Sequence, residues 1–206
     1  MELYTISFYN ETMKILLTND DGYNSIGINL LFNKLKKYGE VVVVAPKEHM
    51  SAKSVSITLG CGREVKRVND NVFYMDGTPA DCVAFALANL NVDFDLVISG
   101  CNDGWNISYD TMYSGTIGAC LQALTFRVPA IAISCEHNFE IVDKYFDEVL
   151  KYILDRKMVS KEFLLNVNFP IGEEMKKIEV GTLFYRETAT YYVEKEDGYH
   201  AYREIK

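Results

Sequence analysis

Uninterrupted apolar runs alternate along this chain with longer stretches in which apolar residues return every three or four positions. Ile15-Leu16-Leu17-Thr18, Val41-Val42-Val43-Val44-Ala45-Pro46, Asp95-Leu96-Val97-Ile98-Ser99, the segment Pro129 to Ser134 and the segment Leu164 to Phe169 are of the first kind. They lack a polar face, as parallel strands covered on both sides do. Between them, Ile26, Ile28, Leu30, Leu31, Leu35 and Tyr38 predict a helix over about 26–38, stopped by Gly39. Gly77-Thr78-Pro79-Ala80-Asp81 opens a second helix to about Leu90, Ser114-Gly115-Thr116 a third to about Thr125, and residues 139–155 form an amphipathic fourth. Strand and helix in turn predict an α/β fold: a Rossmann-like, three-layer arrangement around a mostly parallel sheet. Two stretches break the rhythm. Residues 54–58, 63–68 and 72–75 alternate around Asn69-Asp70-Asn71 and predict a short antiparallel excursion at the sheet edge. From Lys177 onward Tyr and Thr alternate around Asp197-Gly198, the signature of a β-hairpin arm. The expected division is an N-terminal extension over 1–12, an α/β domain over 13–185 and a hairpin arm over 186–206.

Composition narrows the class. The 206 residues, 49% hydrophobic, suffice for one substantial core. A formal net charge of −8 argues against broad nucleic-acid or anionic-membrane binding, but not against a small phosphate ester held locally. Five widely spaced cysteines without a CxxC fit neither a disulfide framework nor a thiolate zinc site, and read as core residues of a reducing cytosol. No apolar run is long enough to span a bilayer, and the acidic start Met1-Glu2-Leu3 lacks signal-peptide character, so a cytoplasmic protein is expected.

The first strand runs directly into Asn19-Asp20-Asp21-Gly22. The carboxyl ends of parallel strands form the ligand crevice of an open α/β sheet, and two adjacent carboxylates there suit a divalent cation. Without a cation or a base they repel each other, and no Lys or Arg follows until Lys34. The plainer alternative is an Asp or Asn cap on the following helix, for which one such residue suffices. Asp95 to Ser99 likewise ends in Gly100-Cys101-Asn102-Asp103-Gly104, and Ser114-Gly115-Thr116 offers hydroxyls and a helix N-terminus to a phosphate, or only an ordinary serine cap. Three oxygen-rich clusters on one face of one sheet favour a site over chance.

The sequence resembles the survival-protein-E (SurE) family of 5′/3′-nucleotidases, which are metal-dependent phosphomonoesterases. The resemblance covers most of 14–185. It rests on Asn19-Asp20-Asp21-Gly22, Ala45-Pro46 followed by Ser51, Gly77-Thr78-Pro79-Ala80-Asp81-Cys82, Ser99-Gly100-Cys101-Asn102 and Tyr113-Ser114-Gly115-Thr116. It implies that Asp20, Asp21, Ser51 and Asn102 bind one Mg²⁺ or Mn²⁺ per subunit, with Asp20, Asp21 and Asn102 catalytic. Asn19, Ser114, Gly115 and Thr116 would hold the phosphate, and Asn106 and Asp110 would line the pocket. An all-oxygen donor set suits those hard cations. Implied partners are a nucleoside monophosphate and further copies of the chain, with no nucleic-acid polymer and no membrane.

The three histidines are poor competitors as ligands: His137 and His200 are expected far from the strand ends, and His49 in an exposed loop. A haloacid-dehalogenase-like phosphatase is a weaker alternative, because that chemistry needs carboxylates two residues apart. A catalytically impaired nucleotide-binding module is another, suggested by Ala52 where the family has glycine. Ile26 replaces a usual proline. The family continues beyond the hairpin with elements of subunit exchange, whereas this sequence stops at Lys206, so oligomeric state and substrate preference transfer less directly than the chemistry.

Overall fold

A computed structural model of the chain describes residues 12–184 and 188–205. The proposed extension over 1–12 thus lies almost wholly outside the described residues. Within them, β1 (Met13–Thr18), β2 (Gly39–Pro46), β3 (Val65–Asn69), β4 (Val72–Met75), β5 (Leu96–Asp103), β6 (Ala130–Cys135) and β7 (Leu165–Asn168) form one sheet in the order β3-β4-β2-β1-β5-β6-β7. Every neighbouring pair is parallel except β3 with β4. The chain builds outward from β1 in one direction, then returns to build outward from β5 in the other. The switch point is therefore the gap between the carboxyl ends of β1 and β5, where such sheets bind ligands.

Helices cover both faces. One core joins Ile15, Leu17, Val41, Val43, Leu96 and Ile98 to Ile28, Leu31 and Leu35 of α1 (Ile26–Leu35) and to Val142, Phe146 and Leu150 of α5 (Phe139–Asp155). The other joins Leu16, Val42, Val44 and Val97 to Cys82, Val83 and Ala86 of α2 (Pro79–Asn89) and to Ile117, Ala119 and Cys120 of α4 (Gly115–Thr125). Successive strand residues alternate between these cores, which is why the strand sequences have no polar face. Capping fixes the helix starts: Thr78 and Asp81 form a reciprocal capping box on α2, and Asn138 accepts from two amides of α5.

Several boundaries depart from expectation. Residues 54–58 form no strand; they belong to the long loop between β2 and β3. The first helix ends at Leu35, and Gly39 opens β2 instead of capping the helix, since a Cβ there would lie 1.8 Å from the carbonyl oxygen of Met13 on the paired strand. A four-residue helix, α3 (Asp110–Tyr113), was not expected. The arm is a two-stranded antiparallel sheet, β8 (Thr188–Lys195) and β9 (Gly198–Ile205), that turns at Glu196-Asp197, just before Gly198, and stacks Tyr191 on Tyr202 with ring centroids 5.7 Å apart.

Candidate active site

A cleft of about 370 Å³ opens at the switch point, a size suited to a small ligand. Asp20, Asp21, Ser51, Asn102, Asn106, Asp110 and Ser114 line it, so seven of the residues singled out in the sequence share one wall system. Asn19, Gly115 and Thr116 do not reach it.

Asn19 shapes the turn instead. Its amide nitrogen donates to the Gly22 carbonyl at 3.0 Å and to Ser25 Oγ at 2.8 Å, and its Oδ1 accepts from the Gly22 amide. Asn19 is fully buried, and both protons of its side-chain amide are spent inside the turn. The turn delivers Asp20 and Asp21 to the cleft.

The two carboxylates differ. Asp20 is buried and accepts a 2.6 Å hydrogen bond from the Thr116 hydroxyl. Burial pushes its carboxyl up from 3.8 to about 6; the Thr116 bond opposes that rise and the neighbouring Asp21 adds to it. Asp21 is more open to solvent. Its carboxyl is also raised, mainly by burial, with His49 pulling the other way from Nδ1 at 3.3 Å. His49 is exposed in its loop, as expected, and it also lines the cleft.

The loop that brings Ser51 is anchored at several points. Met50 N donates to the Asp20 carbonyl at 2.7 Å, while Ser54 donates from its amide to Tyr113 O and from its hydroxyl to Met112 O. Gly118 permits this approach: a Cβ there would lie 2.0 Å from Ser54 O. Ala52 adopts φ 58, the left-handed conformation in which glycine is comfortable, and Ser54 adopts φ 53. The backbone shape that glycine favours is therefore kept at position 52 despite the alanine.

On the opposite wall the β5–β6 register shifts between Ser99 and Asn102, turning Asn102 toward the cleft. Its Nδ2 donates to Gly104 O at 2.7 Å, which fixes the amide plane. Asn106 is held from behind: its side chain donates to Ser134 Oγ, its amide to Asn168 Oδ1, and its carbonyl accepts from Asn166 and Asn168. Sequence reading missed Asp103, Trp105 and Tyr113 as lining residues. It also misplaced His137, whose Nδ1 lies 2.9 Å from Asp103 Oδ1; that carboxylate holds its imidazole above the usual range. His200, in β9, pairs with Asp197.

The family model for survival protein SurE matches residues 15–190, most of the chain. The chain belongs to the SurE family. Proteins named 5′-nucleotidase SurE from Variovorax paradoxus (strain S110) and Clostridium botulinum (strain ATCC 19397 / Type A) are similar to it at 42% identity over 185 residues and 41% over 181. Those alignments cover 86% and 82% of this chain and 73% and 71% of the relatives. The crystal structure of the SurE protein from Aquifex aeolicus matches with a TM-score of 0.82 at 33% identity, covering 94% of this chain and 82% of that one.

The cleft of this SurE chain fits a hard divalent cation through its chemistry. Among the described residues, no Lys or Arg forms an ion pair with Asp20 or Asp21. A buried, unneutralised carboxylate is expensive, and a cation would remove that expense. Among the same residues, no group of three or more His, Cys, Asp or Glu is disposed to hold a metal. Any cation here would therefore rely on neutral oxygens, which Ser51 and Asn102 present to the same cleft.

Proposed function

We propose that this SurE chain is a metal-dependent phosphoric monoester hydrolase that converts nucleoside 5′-monophosphates, and 3′-monophosphates, to nucleoside and phosphate. The observation that carries the reading is Asp20: a buried carboxylate that no Lys or Arg pairs with among the described residues, at the switch-point cleft of a chain whose relatives are named 5′-nucleotidase. Asp20, Asp21, Ser51 and Asn102 would hold one Mg²⁺ or Mn²⁺, which when bound would polarise phosphoryl oxygens and acidify a water. Asp21, the more solvated carboxylate, is suited to orient that water. The Ser114 hydroxyl, which already accepts from Ile117 N, keeps its proton to donate to a phosphoryl oxygen. Asn106 and Asp110 would contact the rest of the substrate. Five free thiols suit a reducing cytosol.

Phosphate release from a panel of nucleoside monophosphates with Mn²⁺, with and without a chelator, tests this directly. Chelator-sensitive release is expected; no release from any nucleotide, or release indifferent to the chelator, overturns the reading.

We also propose that the arm joins copies of the chain. Tyr192 and Tyr199 are 67% and 69% exposed, and an isolated two-stranded hairpin is marginally stable in water. Sedimentation at micromolar concentration should show a dimer or larger that dissociates when residues 189–206 are deleted; a full chain that sediments as a 23.5 kDa monomer, or an oligomer that survives the deletion, would refute it.

A further inference from the structure

The first turn of α4 meets Asp20 through two residues. Thr116 Oγ1 donates to Asp20 Oδ1 at 2.6 Å, and Thr116 is wholly buried. Gly115 presses on the same side chain: a Cβ on it would lie 2.9 Å from Asp20 Cβ and 3.1 Å from Oδ2. From the other side, Met50 N donates to the Asp20 main-chain oxygen. A carboxyl group rotates about one bond to its Cβ, so a hydrogen bond on one oxygen together with backbone packed against the Cβ fixes where the second oxygen points.

A phosphate contact for Thr116 is chemically disfavoured by the same geometry. An ionised phosphate oxygen only accepts hydrogen bonds, and a hydroxyl has one proton. The Thr116 proton is already committed to a carboxylate, in a short, charge-assisted bond away from the cleft surface. We infer that Thr116, with the space left by Gly115, is a positioning residue that aims the free oxygen of Asp20 at the cation, and that it does not bind the phosphate. The inference rests on the hydrolase reading above. Hydrogen bonds that orient a metal ligand are commonly worth 10–100-fold in metal affinity, which sets the expected size.

The test combines Mn²⁺ affinity, measured by calorimetry or electron paramagnetic resonance on the nucleotide-free protein, with kcat and KM for one nucleoside monophosphate and inhibition by inorganic phosphate at saturating Mn²⁺. Thr116→Val keeps the shape and removes the proton. It should weaken Mn²⁺ binding about tenfold or more and lower kcat, with phosphate inhibition within about twofold of wild type. Thr116→Ser should restore Mn²⁺ affinity, and Gly115→Ala should weaken it. If Thr116→Val does not fold, Thr116→Ala carries the same expectation. Wild-type Mn²⁺ affinity in the variant overturns the inference, whether phosphate inhibition weakens, which would restore the phosphate role, or every constant stays unchanged, which would leave Thr116 as packing only. A wild-type protein that neither binds Mn²⁺ nor releases phosphate overturns the hydrolase reading itself; one that does both while Thr116→Val matches it removes only the positioning role.

Discussion

Asp20 and Asp21 are adjacent in sequence but belong to different halves of the cleft. Asp20 sits in the inner wall, where Asn19, Thr116 and Ser114 are buried and each has a protein partner from the turn or from α4. Asp21 faces the rim, where its partner is the imidazole of an exposed loop histidine and where Asp103 and His137 form a similar pair. The inner wall fixes an angle; the rim sets a charge. Burial costs Asp20 more than Asp21, so the inner carboxylate has more to gain from a cation.

The largest expected effect tests whether both halves are needed. Asp20→Asn and Asp21→Asn should each lower kcat/KM for a nucleoside monophosphate by about 10³-fold, on the order of 4 kcal/mol. In chelator at pH 8 they should diverge, with the thermal midpoint rising clearly for Asp20→Asn and little for Asp21→Asn. Equal midpoints would mean that the two carboxylates are not differently buried, and near-wild-type turnover in both would remove the metal site.

The same contrast should appear in the pH dependence of the chelated protein. The folded-state carboxyl of Asp20 is raised to about 6 from 3.8, so between those values the folded state binds more protons than the unfolded one. Its contribution is fully present below about pH 4 and is lost as pH rises through 6, to a total on the order of 2–3 kcal/mol. Urea unfolding from pH 4 to 7 in the presence of EDTA should show this decline, and Asp20→Asn should flatten it. A wild-type profile in Asp20→Asn would mean that burial of Asp20 carries no electrostatic cost.

Much of the fold was legible because it is local. The span of α5 is plain in its amphipathic period, and β2 in its run of valines, since each pattern repeats over many residues. The loop over 54–58 misled because its alternating apolar residues imitate a strand while its hydrogen bonds go to α3, α2 and its own turn. At only four residues, α3 has no period to read. The candidate site divides the same way. Asp20, Asp21, Asn102 and Ser114 could be placed because they follow an apolar strand core or cap a helix. His49 reaches the cleft through a loop path that no local pattern encodes, and Asp103 reaches it because β5 runs on past the apolar stretch that ends at Ser99. Thr116 was placed on the right helix turn, but its hydroxyl direction depends on how α4 packs on the sheet, which brings it to Asp20 from 96 residues away.

A smaller effect probes the rim. Ala52 holds φ 58, which costs an L-residue roughly 1 kcal/mol that glycine does not incur. Ala52→Gly should therefore stabilise the protein by up to about 1 kcal/mol, less the greater freedom glycine has in the unfolded chain, and should leave kcat within about twofold because Ser51 keeps its anchors. Destabilisation on denaturant unfolding would show that the alanine methyl makes a contact worth more than the strain.

The smallest effect lies beneath the inner wall. The hydroxyls of Thr18 and Ser99 stand on register-paired positions of β1 and β5, fully buried, and neither has a partner among the described residues. Both strands place these side chains on the same face as Leu16 and Val97, against α2 and α4. An unpaired buried hydroxyl costs its desolvation, whereas a methyl of the same shape does not. Thr18→Val should accordingly be neutral or stabilising by about 0.5–1 kcal/mol, read as a shift of the urea midpoint at constant slope. The opposite sign would be equally informative. A loss of 1 kcal/mol or more would mean that the hydroxyl is hydrogen-bonded, with a buried water joining Thr18 to Ser99 as the simplest partner. Ser99→Ala would then show the same loss, and the double variant little more than either single change, because two groups sharing one water do not contribute additively.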